Sequence, residues 1–293
     1  MLQKLDFDNI PNYQYIVDRY KSLAYDPDNA YSVPYTVGLV GIIYNTTVVT
    51  ETPASWDLLW NEKYSDQILM FDNSRDAFAA AQFLLGYDVN TTDVNELNAV
   101  AQKLKEQKSL VRKYVMDEIF NMLESGEAAI GPYYAGDYLT MYENNTNLAF
   151  YYPEEGTNFF VDAMCIPTCA SDKEAAEAYI NFLLSPDIAL EIAEYICYAT
   201  PNSSVLENDE YSLKDNKYLY PSDEVLAKTQ IFTYLPQETT DLVNDLWNSI
   251  AISGTNYTVL YICFGAVLVI VIAVAVFLGI RKKKRSVYED TDE

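Results

Sequence analysis

A run of 24 residues without a charged side chain, Tyr257–Ile280, constrains the fold of this 293-residue chain more than any other feature. As a helix the run would be about 36 Å long, which is enough to cross a bilayer with some tilt. Five consecutive basic residues, Arg281–Arg285, follow it at once. Because basic flanks stay on the cytoplasmic side, the sequence predicts a transmembrane helix at 257–280, a cytoplasmic tail at 281–293, and an extracellular or periplasmic part at 1–256. A helix buried in a soluble core is a poor alternative at this length and with this flank.

The part that precedes the uncharged run is strongly acidic. Five of the 19 bases and four of the 43 acids follow residue 280, so residues 1–256 carry 14 bases and 39 acids. Such a charge argues strongly against nucleic acid as a partner, because it repels the phosphate backbone. It suits a surface that attracts cations, although a solvated acidic surface without a function remains an alternative.

Two residue counts narrow the chemistry further. The chain has no histidine, which removes the commonest general base and zinc ligand. Its 26 tyrosines favour a site with amphipathic aromatic walls. The four cysteines, Cys165, Cys169, Cys197 and Cys263, match no zinc-binding spacing. Cys165 or Cys169 could pair with Cys197, but we expect buried free thiols.

Strand and helix patterns alternate through the middle of the chain. The predicted elements are a strand at 68–71, a helix at 77–85, helices at 93–107 and 116–124, a strand at 128–134, a helix at 136–143 and a strand at 148–152. This order predicts a parallel or mixed α/β sheet. Upstream, Tyr31–Asn45 is rich in β-formers and is interrupted by Pro34 and two glycines. It predicts two strands joined by a kink, which could cross between two lobes.

Two helices are predicted after the last strand pattern. Residues Ser171–Glu174 form a capping box, which predicts a helix that ends at Leu184. Pro186 then occupies the first position of a second helix that ends near Ile196. A turn at 197–202 follows, and the remaining segment to residue 250 predicts loop and helix.

The strongest candidate for a binding site is the strand that contains Phe160 and Asp162. Side chains two positions apart point to the same face of a strand, so both would face one space. An aromatic ring and a carboxylate together can hold an organic cation, one by its quadrupole and the other by its charge. On this stretch alone the favoured interpretation is different: Phe160 belongs to a core and Asp162 caps a turn.

A second candidate lies where the strand at 68–71 meets the following helix. Polar residues, among them Asn73 and Asp76, cluster at this junction. Open α/β sheets bind ligands at the C-terminal ends of their strands, and the first turn of a helix stabilises carboxylates. That these residues only cap the helix is an equally good interpretation.

Several short motifs, taken in order, resemble one family. They are Tyr31–Tyr35, Ser55–Trp60, Leu85–Tyr87, Asn90–Asp93, Asn181–Asp187 and Thr200–Asn202. Together they resemble the spermidine/putrescine-binding proteins of polyamine ABC importers, which belong to the two-lobed substrate-binding proteins. The resemblance covers roughly residues 1–250.

The resemblance implies an α/β, two-lobed periplasmic-binding-protein-like fold of type II. Residues 1–37 and 161–206 would form lobe one, and residues 38–160 and 207–250 would form lobe two. Met1–Leu5 lacks the features of a secretory signal and resembles an internal point of lobe one. We therefore expect a sequence truncated at its N-terminus, with lobe one incomplete and sheet edges exposed.

The resemblance also implies which residues line the cleft between the lobes. The set is Asn73, Asp76, Tyr134, Phe160, Asp162 and Tyr198. Asp162 lies where the family has the acid that grips an ammonium group. Phe160 takes the place of a tryptophan, Asp76 that of a glutamate, and Asn73 that of an aspartate. The lost charge at Asn73 allows a shorter polyamine, a differently placed one, or weaker binding.

The resemblance implies an extracellular component of an ABC importer that binds spermidine or putrescine and delivers it to a permease, with no cofactor and no enzymatic activity. The predicted span at 257–280 would anchor this component in the membrane. Three alternatives stay open. Adjacent tyrosines, Tyr133 and Tyr134, could bind ferric iron in a receptor of the same fold. Asp76 and Asp162 could form the acid pair of a hydrolase. An adhesive surface protein would bind no small ligand.

Overall fold

The computed structural model describes residues 1–252. Met1–Trp247 form one compact unit, and residues 248–293 belong to a second. The predicted membrane span at 257–280 and the predicted tail at 281–293 lie outside the described residues. Within residues 1–252, no helix is both long enough and apolar enough to cross a membrane.

The described part of the chain mixes strands with helices. The strands are β1 (Ser32–Asn45), β2 (Ile68–Phe71), β3 (Val111–Val115), β4 (Ile130–Tyr134), β5 (Leu148–Tyr151), β6 (Thr157–Cys165) and β7 (Thr229–Gln230). The helices are α1 (Ser74–Leu85), α2 (Val94–Gln107), α3 (Glu118–Glu124), α4 (Ala135–Asn144), α5 (Lys173–Leu183), α6 (Pro186–Ile196), α7 (Ser203–Leu206), α8 (Asp223–Leu226) and α9 (Gln237–Ile252). Short 3-10 helices lie at Phe7–Asn9, Pro11–Tyr15, Asp18–Tyr20, Trp56–Trp60 and Glu62–Tyr64.

Strand β1 connects two sets of strands. Its first half, Ser32–Leu39, pairs antiparallel with β6. Its second half pairs antiparallel with β4 on one edge and with β5 on the other. The prediction of two strands joined by a kink is wrong, and the crossing of this segment between two lobes stays a prediction. Pro34 and the glycines are accommodated in one strand of 14 residues with a register shift between Pro34 and Thr36.

The remaining pairs make the sheet mixed, as the alternating pattern predicted. Strand β2 pairs parallel with β3 and β4, and β6 pairs parallel with β7. The strand order is β3-β2-β4-β1-β6-β7. Strand β2 is buried throughout, as expected of a parallel strand with both faces covered. The carboxyl end of β2 leads directly into α1, which places polar residues at that edge of the sheet.

Side chains at the helix N-termini act as caps, although not always the predicted ones. Ser55 caps the 3-10 helix at Trp56–Trp60 by accepting a hydrogen bond from the backbone N–H of Asp57. Asp172, not Ser171, caps α5 by accepting a hydrogen bond from the backbone N–H of Ala175. Pro186 opens α6 as predicted, because its missing N–H costs nothing in the first turn.

The cysteines differ from expectation in one respect. Cys165, Cys169 and Cys197 are free thiols. Cys165 and Cys169 are exposed, so the prediction that they are buried is wrong. Cys165 ends a strand and Cys169 lies in the turn before α5, where the chain runs along the surface. Cys263 lies outside the described residues.

Candidate functional site

A cavity of about 420 Å³ opens beside the point where β1 changes its partner from β6 to β4. Its volume lies in the range of small-molecule sites. The lining residues are Asn73, Arg75, Asp76, Tyr134, Asn158, Phe160, Asp162, Tyr198 and Phe232. All six residues that the sequence singled out are among them, although they come from four separate segments of the chain.

Strand β6 directs a row of side chains into the cavity. Phe160 and Asp162 face it together, as their spacing predicted, and Asn158 continues the row. The interpretation that Phe160 belongs to a core and Asp162 caps a turn is therefore wrong. Asp162 is exposed and accepts a 2.5 Å hydrogen bond from the hydroxyl of Thr36, its cross-strand partner.

The Phe160 ring lies across the backbone of β1 at Gly38, which pairs with it in the ladder. A Cβ atom at Gly38 would overlap this ring. The glycine therefore allows the ring to lie flat against the strand instead of standing away from it. Phe160 in turn meets Tyr134 edge to face, with ring centroids 5.2 Å apart.

Tyr134 ends β4 and connects the aromatic wall to the acid at α1. Its ring also lies 5.9 Å from that of Phe71 at the end of β2. Its hydroxyl donates a 3.2 Å hydrogen bond to Asp76 Oδ2. Burial and the nearby Asp76 carboxylate raise the pKa of Tyr134, so its hydroxyl stays protonated and remains a donor.

The two polar residues at the start of α1 have different roles. Asn73 is the N-cap, and its side-chain oxygen accepts from the backbone N–H groups of Arg75 and Asp76. Asp76 is buried, with 8% of its surface exposed. Burial raises the pKa of Asp76 to about 6, although the Tyr134 hydrogen bond and the Arg75 charge oppose this rise. Asn73 thus caps the helix, but both residues also line the cavity, so the interpretation that they only cap the helix is wrong.

Tyr198 closes the cavity from the far end of α6. It follows Cys197, which adopts the left-handed conformation that ends this helix. The Tyr198 ring packs against Gly136, where a Cβ atom would overlap it. Its hydroxyl donates a 2.9 Å hydrogen bond to Asp137 Oδ2. Burial raises the pKa of Asp137 to about 6, and the Tyr198 hydrogen bond acts in the opposite direction.

Three residues of the lining and one behind it were not predicted from the sequence. Asn158 shares the spacing of Phe160 and Asp162, so strand alternation could have identified it. Arg75 lies in the same helical turn as Asp76, and Asp137 follows β4 by three residues. Phe232 has no local signal, because only the pairing of β7 with β6 brings its segment to the cavity.

The site does not resemble a metal centre. Among residues 1–252, no group of three or more histidine, cysteine, aspartate or glutamate side chains could hold a metal ion. Tyr133 and Tyr134, the candidate iron ligands, donate to two different carboxylates, those of Asp117 and Asp76. Burial raises the pKa of both tyrosines, which disfavours the phenolate form that ferric iron requires.

Comparison with known proteins shows which family the chain matches. Residues 1–229 match the model of the bacterial extracellular solute-binding proteins. The spermidine/putrescine-binding periplasmic protein of Salmonella typhimurium is 34% identical over 229 residues, which cover 78% of this chain and 66% of that protein. The putrescine-binding periplasmic protein SpuD of Pseudomonas aeruginosa is 27% identical over 267 residues, covering 85% of this chain and 73% of SpuD.

A solved structure gives the same result. The spermidine/putrescine ABC transporter substrate-binding protein PotD of Streptococcus pneumoniae superposes with a TM-score of 0.76 at 32% identity. The superposition covers 86% of this chain and 78% of that structure. This chain spans about two thirds of the length of the first curated relatives that it matches.

The fold is the two-lobed α/β fold of the periplasmic-binding-protein-like class. This chain belongs to the bacterial extracellular solute-binding protein family. The resemblance to spermidine/putrescine-binding proteins is confirmed, and the curated relatives described above are binding proteins.

Proposed function

We propose that this chain is the substrate-binding component of a polyamine ABC importer and that it holds spermidine or putrescine in the cavity described above. The observation that carries the proposal is the convergence of two carboxylates, Asp76 and Asp162, with aromatic rings around one space. The relatives that bind spermidine and putrescine support the same ligand class.

The lining matches a polyamine in its charge and in its shape. A polyamine carries ammonium groups joined by short methylene chains. Asp162 is exposed and is placed to pair with one ammonium group, and Asp76 is placed to pair with another. The rings of Tyr134, Phe160 and Tyr198 can contact the methylenes and the ammonium groups by their faces. The protein makes and breaks no bond in this role.

Delivery would follow closure of the two lobes around the ligand, which a permease then recognises. We propose that residues 1–37 and 161–206 form lobe one and that residues 38–160 and 207–250 form lobe two. The change of partners along β1 between Leu39 and Val40 supports a boundary near residue 38. The uncharged run at 257–280 would anchor the receptor in the membrane, with its binding part outside and the tail at 281–293 in the cytoplasm.

None of the three alternatives from the sequence, a ferric iron receptor, a hydrolase and an adhesive surface protein, has a specific observation in its favour. The tyrosine hydroxyls at the cavity are held as donors to carboxylates, which opposes ferric iron binding. A hydrolase would need an attacking group and a water position between Asp76 and Asp162, whereas aromatic rings border this space.

Calorimetric titration of the full chain in detergent tests the proposal. We expect putrescine or spermidine to bind with one-to-one stoichiometry. The matched control is 1,4-butanediol, which has the same carbon chain as putrescine but no ammonium groups, and it should give no binding heat. A folded protein that binds neither polyamine, or that binds ferric iron instead, would contradict the proposal.

Membrane anchoring needs a separate test. The full chain and a variant without residues 257–285 are compared for their distribution between membrane and soluble fractions after alkaline washing. We expect the full chain to stay with the membrane and the deletion variant to be released. Release of both proteins would rule out the anchor without affecting the proposed ligand.

A further inference from the structure

The charges around the cavity are few and are not all of one sign. Among the described residues that line it, Asp76 and Asp162 are acidic and Arg75 is basic. The other lining residues are two amides, Asn73 and Asn158, and aromatic rings. The lining therefore offers two carboxylates as ammonium partners and presents one guanidinium group that repels ammonium groups.

Arg75 is held at the cavity by neutral groups. Its guanidinium carbon lies 4.4 Å from the centre of the Phe232 ring. One of its nitrogens donates a 3.1 Å hydrogen bond to the side-chain oxygen of Asn90. No ion pair within 4.0 Å neutralises it in the part of the chain that the structure describes. Its positive charge acts on the neighbouring Asp76, whose pKa it lowers, and on whatever occupies the space beside Phe232.

The segment that carries Phe232 is fixed in this position. Asn90 donates a 2.9 Å hydrogen bond to the carbonyl of Ile231 and accepts a 2.8 Å hydrogen bond from the backbone N–H of Thr233. The side chain of Gln230 accepts a 2.9 Å hydrogen bond from the backbone N–H of Val89. Arg75 and Phe232 thus form a wall that is tied on both sides, not a pair of loose side chains.

Asn73 marks a place where a third acid could be accommodated but is not present. It is exposed, lines the cavity, and uses its side-chain oxygen to cap α1. An aspartate would cap the helix equally well, since aspartate and asparagine are both good N-caps. Asparagine therefore keeps the cap and leaves this side of the cavity without a charge.

We infer that the cavity selects a diamine over a triamine and that Asn73 and Arg75 are the residues that set this selectivity. This inference rests on the proposed polyamine function. A diamine places its two ammonium groups against Asp76 and Asp162. The third ammonium group of a triamine finds no carboxylate in the described lining, and it is repelled by the guanidinium group of Arg75.

The test compares the dissociation constants of putrescine and spermidine for the full chain by calorimetry, at an ionic strength near 0.15 M, where surface attraction is screened. We expect the native chain to bind putrescine about tenfold more tightly, which is the effect of about 1.4 kcal/mol. Asn73→Asp and Arg75→Gln should each reduce the ratio of putrescine affinity to spermidine affinity by roughly fivefold to tenfold. Glutamine retains a donor for Asn90.

Matched controls separate a local effect from a change in net charge. Asn208→Asp adds an acid at another asparagine whose side chain accepts from the backbone, there the N–H of Glu210. Arg19→Gln removes an exposed arginine outside the cavity lining. Neither control should change the ratio of the two affinities.

The outcomes distinguish this inference from the proposed function. Equal or tighter spermidine binding by the native chain would overturn the inference and leave the polyamine function in place. An unchanged ratio in both cavity variants, with unfolding temperatures close to that of the native chain, would also overturn it. Failure of the native chain to bind either amine would contradict the proposed function itself.

Discussion

At the scale of single residues, Asp76 is the buried acid of the cavity. It is buried at the start of α1, and its carboxylate accepts from Tyr134. Burial raises its pKa to about 6, so a cation that enters the cavity stabilises a charge that the protein alone stabilises poorly. Ligand binding and proton release at Asp76 are therefore coupled.

The first prediction follows from this coupling. As the pH falls through 6, Asp76 takes up a proton in the empty cavity, and a bound ammonium group must displace it. Polyamine affinity should therefore fall about tenfold between pH 7 and pH 5. Titrations at both pH values check this, and Asp76→Asn should bind more weakly at pH 7 but lose most of the pH dependence. Equal native affinities at pH 5 and pH 7 would contradict the role of Asp76.

The second prediction concerns Tyr198 and its partly buried partner. Tyr198→Phe removes the hydroxyl that donates to Asp137 and leaves a partly buried carboxylate without this partner. We expect the free energy of unfolding to fall by about 1–3 kcal/mol at pH 7.5. The pKa of Asp137 in the fold is about 6, above its unfolded value, so this carboxyl group is protonated at pH 4.5 and the loss should be smaller there.

Urea denaturation at the two pH values measures this difference. Tyr195→Phe is the control, because its side chain is 89% exposed. It should leave the stability unchanged at both pH values. If Tyr198→Phe lowered the free energy of unfolding equally at pH 4.5 and pH 7.5, packing and not the Asp137 carboxylate would explain the effect.

At the scale of elements, β1 positions the site because it pairs with β6 in its first half and with β4 in its second. Phe160 lies opposite Gly38 on one side of this change, and Tyr134 lies opposite Val40 on the other. The rings of Phe160 and Tyr134 are thus each positioned by a different part of β1. A change in the register of β1 would separate the two rings.

The third prediction tests this arrangement. Gly38→Ala places a Cβ atom where the Phe160 ring lies, so it should destabilise the protein by about 1–3 kcal/mol and weaken polyamine binding. Phe160→Leu alone removes the ring and creates space. In the double variant, the alanine methyl group can occupy part of that space, so the two losses of stability should not add. Strictly additive losses in denaturation experiments would show that Gly38 acts elsewhere.

Many of the helices and strands were predictable from the sequence, because short local signals mark them. Pro186 begins α6, and Ser55 caps the 3-10 helix that follows it. Phe160 and Asp162 face the same cavity because they are two positions apart on one strand. Strand β3 was missed, since its exposed Arg112 and Lys113 hide the apolar pattern. The contribution of Phe232 could not be read locally, because the distant pairing of β7 with β6 creates it.

At the scale of the whole molecule, the cavity gathers residues from segments that are far apart in sequence. Its lining extends from Asn73 to Phe232, and β1 connects β4 and β6, which carry four of its nine residues. A ligand in this position contacts many elements at once and so stabilises the folded state relative to the unfolded chain. Local patterns pointed to two parts of the site, Phe160 with Asp162 and Asn73 with Asp76, but only the family resemblance joined them into one cleft with Tyr134 and Tyr198.

The fourth prediction is a thermal shift. Putrescine at a hundred times its dissociation constant should stabilise the fold by about 2.7 kcal/mol. For a domain of this size, that corresponds to a rise in unfolding temperature of about 5–10 °C. The diol 1,4-butanediol at the same concentration should leave the unfolding temperature unchanged. An equal rise with the diol would mean that the effect is nonspecific.

The measurement that tests the central claim most directly is a calorimetric titration of putrescine into the native chain, Asp162→Asn and Asp209→Asn. Asp209 is fully exposed and pairs only with Lys214 among the described residues, so the two substitutions remove the same charge at different places. We predict that Asp162→Asn weakens binding tenfold to about a hundredfold, as expected for a charged hydrogen bond, while Asp209→Asn leaves it close to native. Equal effects of the two substitutions would contradict the assignment of this cavity as the polyamine site.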